Sequence, residues 1–405
     1  MTFLRTLAIA PAVLLLAAPA ALAQVANAEL HTITTAVPIL TLSPDARGAA
    51  LGDAGVATSP DANSAFYNPG KLGFVDHKYA VALNYSPWLR QITDDMSLSY
   101  LSGYGKVGER GALAASLLYF DLGQIDYRTG YNLPNGSYNP KEYAFTVSYG
   151  QKLGENFGVG ITARYVRSNL VGNYSGNDAQ AGNSFAADLG VYYSKDATLG
   201  TGVYNFAYGL SISNIGNKMV YQDATNPSFL PTTLRLGTAI TREIDSYNKI
   251  TLVFDATKLL VPSPYYEDPY VAANAASVRQ TNDERQQQGI VGAAFSSFSD
   301  APGGFKGELQ EINLHGGLEY WYDNKISGRV GYFYENPHTG ARQYLAFGLG
   351  ARLSVFGIDG TYLVPNSQAN PLAQTIRVSV HFNLNKLADA FDEKGAGGTQ
   401  GTLPN

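Results

Sequence analysis

The side chains able to do chemistry are sparse in this chain, and their spacing assembles no catalytic centre. No cysteine occurs among the 405 residues, which removes disulfides, thiolate metal sites and cysteine nucleophiles together. The histidines His31, His77, His315, His338 and His381 are scattered, without the short intervals that bring imidazoles together on zinc. No Gly-x-Ser-x-Gly elbow presents a nucleophilic serine. Asp94-Asp95 is a pair of acids between strand-like segments, where a solvated turn is the simplest role. Gly52-Asp53-Ala54-Gly55 has the glycines of a phosphate loop but not its Gly-Lys-Ser/Thr ending. Neither enzymatic activity nor a cofactor is expected, although a nucleophile, base and acid from distant positions can still meet in space.

Charged residues recur instead inside apolar segments. Arg164, Asp188, Arg235, Asp255, Glu319, Arg329, Arg352 and Asp359 each fall on a face of small and polar residues, opposite large apolar ones. Acids and bases are similar in number there, so an ion-paired network across an interior is expected; a selectivity lining is the alternative. The formal charge of −5 gives no reason to expect nucleic-acid binding.

The elements that position these residues are strands. In Tyr143-Ala144-Phe145-Thr146-Val147-Ser148-Tyr149-Gly150, one face carries Tyr, Phe, Val and Tyr and the other Ala, Thr, Ser and Gly. Similar segments run over 78–87, 95–107, 110–121, 141–152, 156–168, 184–195, 204–214, 232–242, 248–257, 311–322, 326–335, 343–355, 357–364 and 375–384. That makes fourteen, an even number. Connections after even-numbered strands are short, as at Asp323-Asn324-Lys325, and most of those after odd-numbered strands are long, as at 122–140, 169–183, 215–231 and 258–310. A soluble sandwich has no reason to sort its loops this way, whereas an outer-membrane barrel puts short turns inside and long loops outside. Closure also removes the open sheet edges that hydrocarbon forbids. With 28 Tyr, 18 Phe, 43 Gly and 15% charged residues, the composition suits an all-β, 14-stranded antiparallel transmembrane barrel. Even strand parity is expected to leave both chain ends in the periplasm. Ile376, Val378, Val380, Phe382 and Leu384 should face lipid, and Arg377, Ser379, His381 and Asn383 the lumen.

The flanking segments divide the rest. Arg5, the apolar run Leu7 to Ala20 and Ala21-Leu22-Ala23 read as a secretory signal cleaved after residue 23. Residues 24–77 are too long for a frayed end, and their small residues permit close approach to a wall. They are expected to form a plug in the periplasmic half of the lumen. The barrel then spans 78–385 and a mobile periplasmic tail 386–405. The loop 258–310 carries aromatic Tyr265 and Tyr266 and the apolar run Gly289 to Phe295, which is expected to form a short helix over the mouth. Loops of this size are usually functional or disordered, and apolar content argues against disorder.

The run Arg47 to Val56, continued by Asp61-Ala62-Asn63-Ser64-Ala65-Phe66-Tyr67-Asn68-Pro69, resembles the plug signature of FadL-like barrels, with Asp61, Asn63, Asn68 and Pro69 as its marks. Further motifs are Tyr85-Ser86-Pro87-Trp88-Leu89-Arg90, Asp95-Met96-Ser97-Leu98-Ser99-Tyr100 and Tyr119-Phe120-Asp121-Leu122-Gly123. Gly158 to Tyr165, Phe298 to Lys306 and Glu319-Tyr320-Trp321-Tyr322 complete them. Together they resemble the PorV family, also called LptO, of the bacteroidete type IX secretion system. One departure is Gly70, where an Ala after Asn-Pro is common. The resemblance implies an outer-membrane shuttle that takes cargo by its C-terminal domain from the translocon to a sortase-like attachment complex, amid outer-membrane lipid and lipopolysaccharide. Cargo is then expected on Tyr265, Tyr266, Ile290, Val291, Phe295 and Phe298. A FadL-like channel for hydrophobic solutes is the alternative, and a lipopolysaccharide O-deacylase, implied by the second family name, comes third.

Overall fold

In a computed structural model of the chain, residues 31–90, 93–170, 180–221, 227–265, 275–366 and 375–385 are described. The expected leader at 1–23, the tail from 386 and Tyr266 lie outside the described residues. The strands are β1 (Tyr79–Pro87), β2 (Ser97–Val107), β3 (Gly111–Asp121), β4 (Ile125–Arg128), β5 (Pro134–Tyr138), β6 (Lys141–Lys152), β7 (Phe157–Asn169) and β8 (Gly182–Leu199). They continue as β9 (Gly202–Gly216), β10 (Thr233–Glu243), β11 (Asn248–Leu259), β12 (Asn313–Tyr322), β13 (Ile326–Tyr334), β14 (Gln343–Arg352), β15 (Phe356–Pro365) and β16 (Ile376–Asn383). All but β4 and β5 close into one antiparallel barrel of fourteen strands. The seam is β1 against β16, in register from Ala80↔Asn383 to Tyr85↔Val378. β4 and β5 form a separate hairpin within the connection from β3 to β6, which the alternation did not indicate.

Side-chain alternation follows from the strand period. In β6, Ala144, Thr146, Ser148 and Gly150 are buried, while Phe145, Val147 and Tyr149 are exposed towards lipid. In β16, Arg377 and Ser379 are buried, and Ile376, Val378 and Phe382 are exposed. Among the described residues no helix is long and apolar enough to cross a membrane.

Strand parity puts the start of β1 and the end of β16 on the short-turn rim, but it does not fix the route of the chain before β1. At its described start, His31 N–H donates to His338 O (2.6 Å) in the connection from β13 to β14. Ala36 N–H donates to Phe229 O (2.8 Å) in the connection from β9 to β10. Both partners belong to long-loop connections. From His31 the described chain therefore runs from the outer rim down through the lumen before it enters β1. The expectation that the segment before β1 is confined to the periplasmic half of the lumen is corrected accordingly. Parity counts crossings made by strands and is blind to a crossing made by a filling segment.

Candidate functional site in the lumen and outer loop

The lower lumen is filled by the helix Ala46–Ala50, the helical turn Ser64–Tyr67 and the 3-10 turn Pro69–Phe74. Short polar side chains fasten them to one another and to the wall. Asp45 accepts from Gly48 N–H (2.9 Å) and from the Tyr67 hydroxyl (2.5 Å), so one carboxylate caps the helix and ties it to the next turn. Asn68 accepts from Gly70 N–H (2.9 Å) and donates to Val191 O (2.9 Å) on β8. Asn63 accepts from Asn84 Nδ2 (3.0 Å) and Ser102 Oγ (2.7 Å), which pins it to β1 and β2. Asp61 accepts from Asn63 N–H (2.9 Å) and pairs with Arg47 (3.0 Å). Pro69 lies against the inward faces of Gly150 and Gly160, where a Cβ would strike its carbonyl.

Arg47 starts a chain of charges that leads into the wall. Its guanidinium holds Glu319 on β12 through two bonds (2.9 and 3.0 Å). Glu319 also accepts from Arg329 (2.6 Å), and Arg329 pairs with Asp359 (2.8 Å). Asp359 in turn takes Arg352 (2.7 Å) and His381 (2.8 Å) at the short-turn rim. Trp321 has the guanidinium carbons of Arg329 and Arg352 at 5.3 and 5.4 Å from its ring centroid, close enough for both cations to interact with the π-face.

Arg164 and Asp188 pair separately (2.6 Å). A break in the register of β8 against β9 lets Asn214, at φ 61°, donate its N–H to Asp188 (2.7 Å) and meet Arg164 with its side chain. Arg235 and Asp255 depart from the ion-pair expectation: among the described residues neither makes a salt bridge. Arg235 points to Thr41 O (3.4 Å), and Asp255 accepts from Gly55 N–H (2.7 Å) and Val56 N–H (2.9 Å). Their partners are backbone groups of the filling segment, which no wall-to-wall pairing rule anticipates.

Sequence reasoning missed the role of the wall glycines. A Cβ on Gly150, Gly160, Gly190, Gly209, Gly317 or Gly331 would collide with the filling segment. The lumen is therefore packed with chain lying directly against strand. The signal was present as glycines recurring on the small face of successive strands, a known mark of close backbone approach.

A polar cavity of about 650 Å³ remains at the short-turn rim, lined in part by Asp61, Lys249, Trp321, Arg352 and His381. A second of about 450 Å³ lies at the outer end, between Ile33, Pro38 and Leu42 on one side and Trp88, Leu259 and Arg342 on the other. Between these levels Arg47, Leu51, Tyr67 and Lys71 are buried.

The outer loop is built on a buried polar foot. Lys258 at the end of β11 holds Glu308 (2.9 Å) and Glu311 (2.5 Å), and Ser263 bonds Glu311. The helix Phe305–Gln310 supplies Glu308 to this foot, and the loop also carries the helices Ala275–Gln287 and Ile290–Ser296. Gln286 donates to Pro227 O (2.8 Å), linking the helix Ala275–Gln287 to the connection from β9 to β10. Val291 (68% exposed) and Phe295 (75%) share one face of the helix Ile290–Ser296, and Phe298 is also exposed. Ile290 is half-buried. Tyr265 is held in place, its backbone exchanging bonds with Asn282 (2.8 and 3.0 Å) and its ring lying 5.6 Å from Arg285. Phe305 (79%) and Leu309 extend the exposed apolar surface and were not anticipated.

Asp300 gives this loop a pH response. Burial pushes its carboxyl up to about 6, only partly offset by Arg285 and the Ser263 N–H. A carboxyl raised in the folded state contributes stability that is full below its unfolded value near 4 and is lost as pH rises through about 6. Proteolysis within 275–310 should therefore be slower at pH 5 than at pH 7.5, and Asp300→Asn should remove most of that difference. An unchanged pH dependence in the variant would assign the effect to other groups.

Comparison with known proteins yields one family. The family model described as "Type IX secretion system protein PorV" matches residues 25–266. No curated protein matches the sequence at a significant level. Among solved structures, the toluene transporter TodX of P. putida superposes with a TM-score of 0.45 at 10% identity, over 84% of this chain and 98% of that one. A Pseudomonas aeruginosa FadL homologue gives 0.40 at 11% identity, over 87% and 99%. The Ralstonia pickettii toluene transporter TbuX gives 0.39 at 11%, over 85% and 97%.

Proposed function

This chain belongs to the PorV family of the type IX secretion system, and we propose that it works as a carrier whose outer loop holds cargo. It is an outer-membrane barrel and a component of that secretion system. In the proposed cycle it takes folded cargo, by a C-terminal domain, from the translocon and passes it to a sortase-like attachment complex. The observation that carries this reading is the outer loop: a buried, ion-paired foot supports helices whose exposed faces are aromatic and aliphatic. Large exposed apolar side chains cost solubility unless a partner covers them. The charged, plug-filled lumen favours docking at the rim over solute flow, because Arg47, Glu319 and Arg329 occupy the level that an apolar solute would cross.

Deleting the whole loop is a poor test, since it leaves Lys258 buried without its two carboxylates. Val291→Asp with Phe295→Asp leaves the foot intact. This double variant should insert normally and keep wild-type thermal stability, yet lose at least about 2 kcal/mol of cargo affinity, a thirtyfold weakening, as expected for removal of apolar hot spots. Undiminished co-purification of cargo C-terminal domains would reject the loop as the docking surface.

A further inference from the structure

The stretch from His31 to Ser43 is held differently from the rest of the lumen filling. Val37, Ile39 and Leu40 are buried against inward side chains that include Leu98, Tyr100, Leu118, Phe120, Phe333 and Leu363. In the outer half of the lumen this strap thus packs on an apolar patch of the wall. Below Ser43, charged side chains and glycine-lined contacts take over.

Two guanidiniums mark the boundary. Arg235 on β10 reaches Thr41 O (3.4 Å), and Arg377 on β16 reaches Ser43 O. These strands lie six places apart in the ring, so the strap is gripped from nearly opposite walls. Arg377 is fully buried and its nearest carboxylate, on Asp53, is 3.9 Å away. Arg235 Nε and Arg377 Nε and Nη2 are buried without a protein partner. An unmet buried donor raises the free energy of the state that contains it.

The strap is also strained. Val37 has φ 49° and ψ 58°, the left-handed region that a β-branched residue rarely adopts, immediately before Pro38. Beside it the outer cavity of about 450 Å³ adjoins Ile33, Pro38 and Leu42.

We propose that residues 33–43 are a built-in occupant of this apolar patch, displaceable by an extended apolar peptide segment that arrives from the outer face. Strain at Val37 lowers the cost of release, and the guanidinium bonds to Thr41 O and Ser43 O raise it. Burial of Val37, Ile39 and Leu40 opposes it, so the strap leaves only when another apolar segment refills the space. The guanidiniums grip main-chain carbonyls, which a polypeptide carries at every residue and a hydrocarbon chain lacks. Asp45 to Phe74 stays in place throughout, so the barrel stays sealed while the patch changes occupant. The inference goes beyond the carrier reading and does not depend on it.

Hydrogen exchange on the full chain in lipid nanodiscs tests this without any secretion assay. Amides at 36–43 should exchange at least about tenfold faster than those at 46–57, as a separate opening unit. An excess of synthetic peptide with the sequence Thr32 to Ser43 should accelerate the strap further, by about threefold or more, and leave 46–57 unchanged. A scrambled peptide and oleate serve as controls. Joining the strap to the connection from β9 to β10 through Ala36→Cys and Phe229→Cys, in a chain otherwise free of cysteine, should suppress the acceleration until reductant is added. Equal exchange of strap and plug would overturn the proposal, as would indifference to the peptide or acceleration by oleate alone.

Discussion

Glu319→Ala is expected to destabilise the barrel by about 3 kcal/mol, the cost of removing the carboxylate that two buried cations share. Glu319 joins Arg47 of the filling segment to Arg329 of the wall at 2.9 and 2.6 Å, and both guanidiniums are buried. Arg47 retains Asp61 and Arg329 retains Asp359, so the network is cut in the middle rather than dissolved. The denaturant midpoint of the detergent-solubilised barrel measures the effect. Glu319→Gln should cost less, because one acceptor oxygen remains. A double cycle with Arg47→Met should give a coupling above about 1 kcal/mol, since the two side chains share bonds. A loss under about 1 kcal/mol for Glu319→Ala would mean that water already screens the pair.

The second large effect is expected from Gly331→Val and Gly209→Val. A Cβ at Gly331 would lie 2.7 Å from Ala50 O, with Gly52 N and Leu51 C nearer still. One at Gly209 would be 2.9 Å from Val56 C. These are backbone atoms, and no rotamer change relieves the clash. Overpacking of this kind costs about 1–3 kcal/mol or more, and the filling segment is the side able to yield. Both variants should raise ionic conductance in planar bilayers and admit protease to residues 46–74. Gly360→Val is the control, because nothing lies within 4 Å of its added Cβ. Wild-type conductance in both luminal variants would show that the wall, not the plug, gives way.

The outer loop shows how far sequence reading reached outside the barrel. The helix over Gly289 to Phe295 was legible because apolar residues ran together between polar ones, and it appears as Ile290–Ser296. The helix Phe305–Gln310 was not, since Gly303-Gly304 before it and Gly307 within it suggest a turn. Its glycine Gly307 instead fits against Pro302, where a Cβ would collide. The lumen divided in the same way. Charged residues could be assigned to the inner face, but Asp255 could not be matched to Gly55 N–H, 200 residues away.

The sequence by itself determined the barrel strands, their number, the sorting of turns and loops, and which face of each barrel strand meets lipid. These depend on a two-residue period and on the requirement that every backbone group in hydrocarbon be paired, both of which are local or nearly so. Only the tertiary structure decided that the chain before β1 crosses the lumen from the outer rim, and that Arg235 and Asp255 serve its backbone. It alone decided that successive wall glycines are seats for that chain. Those choices depend on how the closed barrel's register brings distant residues to one level, and no local pattern records that distance.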